Sequence, residues 1–111
     1  MSRLDTKKID DKLFVYPKGR VNMEVASEIE DGLNQLIDEG CRFLIVNMKD
    51  VEYMSTPGFR VIIAILRRIT SMGGTFRICE IRPSVKRIFE ILELQHLIDM
   101  YDTETEALSS S

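Results

Sequence analysis

Tyr53-Met54-Ser55-Thr56-Pro57-Gly58-Phe59-Arg60-Val61-Ile62-Ile63 reads as the end of a buried strand, a tight polar turn and the start of a helix. Pro57 suits a first helical position, because its φ is already near the helical value and its missing N–H would have had no intrahelical partner. Ser55 and Thr56 then stand at the positive end of the helix. A hydroxyl there can accept a backbone N–H as a cap. It can also carry a phosphate, since helix N-termini favour anions. The residues alone leave both roles open for Thr56, and capping is the commoner one.

Working outward, the helix begun at Pro57 runs to about residue 72, with Phe59, Ile62, Ile63, Leu66 and Ile69 as its core stripe. Gly73-Gly74 ends it. Residues 75–81 alternate as a strand, and Pro83 opens another helix whose buried stripe is Val85, Ile88, Phe89 and Leu92. Leu97-Ile98 with Met100-Tyr101 reads as a short last strand. Thr103 and Glu106 have capping-box spacing for a terminal helix, followed by a frayed Ser109-Ser110-Ser111 tail.

Upstream, Phe43-Leu44-Ile45-Val46 is nearly continuous apolar, the mark of a strand covered on both faces or central in a sheet. Residues 24–39 have helical periodicity through Val25, Ile29, Leu33, Leu36 and Ile37, with Gly40 as the stop. Residues 4–9 and 13–16 form a hairpin around Asp10-Asp11-Lys12, and Arg20-Val21-Asn22-Met23 is read as a loop. The order is a hairpin followed by alternating helix and strand. That order predicts an α/β fold with a single mixed sheet, in which an N-terminal hairpin extends a parallel βαβαβ core with right-handed crossovers. The helices are expected mainly on one face. A chain of 111 residues suits one domain spanning 1–111.

Composition bounds the function. With 44% hydrophobic and 30% charged residues and a net charge of −3, the chain is an ordinary globular one. No basic stripe points to nucleic acid, and no apolar run is long enough for membrane insertion. The first residues lack the apolar centre of a signal peptide, so the cytoplasm is expected. Cys41 and Cys79 read as reduced thiols rather than a redox pair. No metal or cofactor is expected: His96 is the single histidine, with no Ser, Cys or carboxylate partner at motif spacing, and no ligands cluster along the chain.

Several segments together resemble the STAS domain family of bacterial anti-sigma factor antagonists. Gly19-Arg20-Val21-Asn22 is similar to that family's Gly-x-Leu/Val-Asp segment, and Phe43 to Met48 to its central strand. Residues 53–59 are similar to its Asp-Ser-Ser/Ala-Gly-Leu turn, and Arg82-Pro83-Ser84-Val85-Lys86-Arg87-Ile88-Phe89 to its Ser-Pro-x-Val-x-Arg-x-Phe helix. The pieces fall in the correct order and spacing over nearly the whole chain. Two positions depart from the pattern: Ser55 stands at the family's Asp, and Pro57 follows the acceptor.

The resemblance implies a non-enzymatic switch in partner choice. Unphosphorylated, such a domain binds an anti-sigma factor with a histidine-kinase-like ATPase fold, which is also its serine/threonine kinase, and frees the sigma factor. Phosphorylation ends the binding, and a metal-dependent PP2C-type phosphatase restores it. The acceptor position is Thr56, with Ser55 as the alternative. The docking surface is expected around Ser55, Thr56, Gly58 and Arg60, with Asn22, Met23 and Glu24 from the preceding loop. Val61 and Ile65, off the core stripe by helical spacing, either join that surface or lie under another helix. A second possibility is an accessory STAS subunit that binds a transporter ATPase constitutively. An enzyme is a third, for which no catalytic constellation is visible.

Overall fold

The computed structural model describes residues 4–109. Seven strands and four helices follow one another: β1 (Asp5–Ile9), β2 (Lys12–Tyr16), β3 (Gly19–Val21), α1 (Met23–Asp38), β4 (Phe43–Asn47), β5 (Val51–Met54), α2 (Thr56–Ser71), β6 (Thr75–Cys79), α3 (Pro83–Ile91), β7 (Asp99–Tyr101) and α4 (Glu104–Ser109). Ser109 therefore closes a helix; the rest of the expected tail, 110–111, lies outside the described residues.

The main sheet has the order β1-β2-β4-β6-β7. The β1–β2 hairpin is antiparallel and the other pairings are parallel, so the mixed sheet with a parallel core is as the element order predicts. Side chains alternate across β4. Leu44 and Val46 join the large core beneath α1, α2 and α3, while Ile45 joins Phe14, Cys79 and Ala107 on the opposite face, under α4. This two-sided burial is why β4 reads as an unbroken apolar run.

A second, two-stranded sheet corrects the reading of Arg20-Val21-Asn22-Met23 as loop. Residues 19–21 form β3, which pairs in parallel with β5. Three residues carry too little periodicity to signal a strand; the partner sequence supplies it. Leu97 likewise lies outside the last strand, after a 3₁₀ turn at Leu94–His96.

The helices rotate differently from the predicted stripes. In α2 the buried residues are Gly58, Phe59, Val61, Ile62, Ile65 and Ile69. Val61 and Ile65 are 7% and 1% exposed, so of their two readings the surface one is corrected and cover by another helix holds. α2 is covered on two sides, by the sheet and by α1, and its buried arc is correspondingly wide. Arg68 fastens the two helices: its Nη1 donates to Asn34 O at 3.1 Å and Oδ1 at 2.7 Å, and its Nη2 donates to Asp38 Oδ1. In α3 the reverse correction applies. Val85 and Phe89 are buried, with Phe89 edge-on to Phe59 at a centroid distance of 4.8 Å. Ile88 and Leu92 are 39% and 51% exposed.

At the end of α2, Gly73 takes φ +79°, a conformation glycine adopts without strain. A Cβ on Gly74 would lie 2.5 Å from Arg42 O, so this glycine lets the chain pass against the start of β4.

Candidate functional site

β3 and β5 bring together the two segments that the sequence nominates. β3 leads into the first turn of α1, β5 leads into the first turn of α2, and Ser55 joins them. Its backbone N–H and its hydroxyl both donate to Val21 O, at 2.9 Å and 2.7 Å. Ser55 occupies the cap position of α2, but with its hydroxyl turned to Val21 it makes no side-chain cap. Thr56 is the first helical residue and Pro57 the second, one place later than the sequence suggests. Thr56 is therefore not a cap. It is exposed, and among the described residues no hydrogen bond engages its hydroxyl.

Gly58 is buried rather than presented. A Cβ there would lie 2.5 Å from Met54 Cγ and 3.1 Å from Val21 Cγ1, so glycine lets α2 start hard against the small sheet. This corrects its reading as an exposed surface residue: its place is the close approach of α2 to Met54 and Val21, which sets the start of the helix where Thr56 stands.

Asn22, Met23 and Glu24 are exposed beside this turn. Asn22 Oδ1 accepts from Val25 N at 3.0 Å, capping α1, which is the role a polar residue has at a helix start. Arg20 lies over the ring of Tyr53 at 4.6 Å. Arg60 is exposed one turn along α2 from Thr56.

Two grooves meet at Thr56. One, about 420 Å³, runs between the α2 turn and α3 and includes Tyr53, Ser84, Ile88 and Leu92. The other, about 470 Å³, runs along α2 and includes Arg60, Ile63, Ala64, Arg67 and Leu94. Thr56, Phe59 and Leu92 line both. The contribution of α3 is absent from the sequence reading. Its signal was available: Val85, Ile88, Phe89 and Ile91, with Leu92 at the C-cap, are more apolar residues than one face of a nine-residue helix can bury.

Polar residues also gather on the far side of the sheet, where the sequence shows no clustered ligands. Cys79, Glu80 and Glu104 come within reach of one another, which corrects that reading. Glu104 already accepts from Tyr16 Oη at 2.6 Å, Asn47 Nδ2 at 2.8 Å and Lys7 Nζ at 3.0 Å. Burial alone would push its carboxyl up; the three hydrogen bonds outweigh burial and hold it below the usual glutamate value. Burial first, then the neighbouring carboxylates, push the Cys79 thiol up to about 12. Glu104 thus spends its acceptor capacity on protein donors from three other segments, and the cluster forms a polar knot beneath α4. Arg77 belongs to the same arrangement, donating from Nη1 to Ala107 O at 2.6 Å.

Comparison with known proteins agrees with this geometry. The family profile described as STAS domain matches residues 3–107. The Bordetella bronchiseptica protein BtrV, named as a candidate anti-sigma factor antagonist, is 30% identical over 89 residues, 80% of this chain and 77% of its own. The crystal structure of the Thermotoga maritima protein TM1081 superposes with a TM-score of 0.91 at 26% identity, covering 95% of this chain and 91% of the other. The anti-sigma factor antagonist SpoIIAA in its unphosphorylated form shares the fold, with a TM-score of 0.81 at 18% identity over 95% of this chain and 92% of its own. Matched by the family profile over nearly its whole length, and folded like these relatives, the chain belongs to the STAS domain family.

Proposed function

We propose that this protein is a non-enzymatic partner switch: it docks on an anti-sigma factor of the ATPase-kinase type, and phosphorylation of Thr56 ends the docking. The observation that carries this reading is the free, exposed hydroxyl of Thr56 at the first residue of α2, where two apolar-walled grooves meet. Ser55, the other hydroxyl of the turn, is occupied by Val21 O, which favours Thr56 as acceptor. The names of the relatives supply the partner class.

A phosphate would add about −1.5 to −2 charges at pH 7. At the α2 N-terminus that charge gains roughly 0.3–1 kcal/mol from the helix dipole, so the domain keeps its fold. Against a partner surface that offers it no cation, the same charge is expensive to desolvate, and the partner is rejected. The docking surface on this reading comprises Asn22, Met23, Glu24, Ser55, Thr56 and Arg60, with Ile88 of α3 and Leu92 at its C-cap in place of Val61 and Ile65. A PP2C-type phosphatase would reset the switch in the cytoplasm.

The test is a pull-down from a lysate of the protein's own cells with wild type, Thr56→Ala and Thr56→Glu, read by mass spectrometry. Retention of an ATPase-fold kinase by the first two, and its loss with Thr56→Glu, is expected. One partner recovered equally by all three would reject the switch in favour of a constitutive adaptor.

A further inference from the structure

Among the described residues, seven large apolar side chains are exposed, and four of them (Ile88, Ile91, Leu92 and Leu97) belong to α3 and the segment after it. The groove of about 470 Å³ between α2 and this segment has an apolar floor of Phe59, Ile63, Leu92 and Leu94. Its α2 wall carries Arg60, Ala64 and Arg67, all exposed. No acidic side chain lines it. Among the described residues neither arginine enters an ion pair, whereas Arg68, on the neighbouring face, is paired with Asp38. A chain of net charge −3 thus places two unpaired cations along one wall of its apolar groove.

The spacing defines what fits. Arg60 and Arg67 are two turns apart on one face, about 10 Å along the axis at the usual helical rise. Ala64 lies between them, and a small residue there lets a second helix approach to the roughly 8–10 Å of ordinary helix packing. We infer that this groove receives an acidic amphipathic helix of the partner, with carboxylates two turns apart set against Arg60 and Arg67 and apolar side chains between them seated on Phe59, Leu92 and Leu94. The apolar floor supplies contact area, and the arginines supply orientation and selectivity.

This inference rests on the partner-switch reading and adds a reason for its sign. Thr56 lies one turn from Arg60, at the distance where side chains on a helix meet. A phosphate there pairs with Arg60 and repels the carboxylate that Arg60 would otherwise receive.

The probe is a fluorescein-labelled helical peptide of about 16 residues with two glutamates seven positions apart and leucines between them, beside a twin with lysine at both glutamate positions. Fluorescence anisotropy at low salt should show the acidic peptide binding at least about tenfold more tightly than its twin. In the Arg60→Glu/Arg67→Glu protein that preference should invert. Both arginines are exposed, and thermal unfolding of the variant checks its fold. Ala64→Gln, which fills the groove wall without changing charge, should also weaken binding. The inference is overturned if the two peptides bind alike, if neither binds, or if charge reversal leaves the preference unchanged. It is equally overturned if the wild type is a dimer that Leu92→Glu splits, since a second copy would then be the occupant. The peptide contains no anti-sigma factor. A failed pull-down with the peptide preference intact therefore rejects the switch alone, and the converse rejects the acidic helix alone.

Discussion

Replacing Ile65 and Ile88 by alanine, one at a time, separates the two ways α2 and α3 could face. By sequence spacing Ile65 lies off the core stripe, on the surface or under another helix, and Ile88 belongs to the core; in the structure Ile65 is 1% exposed and Ile88 39% exposed. Isoleucine to alanine removes three carbons, each worth about 0.8 kcal/mol when buried. At Ile65, enclosed between the sheet and α1, the vacated space adds a cavity cost, for about 3–4 kcal/mol altogether. At Ile88 part of the side chain is already wet and no closed cavity forms, so the loss is about 1 kcal/mol. A domain of this size loses roughly 4–8 °C of melting temperature per kcal/mol, so Ile65→Ala should melt more than about 12 °C lower and Ile88→Ala about 4–8 °C lower. Urea unfolding followed by circular dichroism gives the free energies directly, with unchanged m values. Binding should move in the opposite order: Ile88→Ala weakens partner capture, while Ile65→Ala, below its lowered melting temperature, does not. A cost at Ile88 equal to or above that at Ile65 would refute the helix rotation and, with it, the apolar wall beside Thr56.

Helix capping gives a second contrast: Asn22→Ala, which removes the bond to Val25 N, should cost about 1 kcal/mol by chemical unfolding, whereas Thr56→Ala should stay within about 0.5 kcal/mol. The Glu104 carboxyl is held below its ordinary value of 4.5, so its contribution is fully present above that pH and is lost as pH falls through the lower folded value. Stability measured from pH 7 down to acid should therefore show wild type exceeding Glu104→Gln at neutral pH and converging with it in acid. For the thiols, with Cys79 buried and pushed up to about 12, a disulfide reagent at pH 8 should modify Cys41 first in the native protein and reach Cys79 only on unfolding. Equal rates at the two thiols would show that α4 does not cover the sheet.

The strand–turn–helix unit at residues 53–63 and the burial of β4 on both faces were legible from local order. Each rests on residues close in sequence: a proline and two hydroxyls at a helix start, or four apolar residues in a row. The far-side knot was not legible, because Lys7, Tyr16, Asn47, Glu80 and Glu104 come from five separate segments. β3 was hidden for a related reason, since three residues become a strand only through their pairing with β5.

By itself the sequence determined the order of the elements apart from β3, the place of Thr56 at the start of α2 and the family pattern that ties them together. Tertiary structure decided which way each helix faces. Helical periodicity specifies an apolar arc, but whether that arc meets one neighbour or two depends on what packs there. With α1 laid over it, α2 buries Val61 and Ile65; with no described element over its outer side, α3 leaves Ile88, and Leu92 at its C-cap, in solvent. Tertiary structure also divided the two hydroxyls. Ser55 is held by a carbonyl 34 positions earlier in the chain, whereas among the described residues the exposed Thr56 hydroxyl has no such partner.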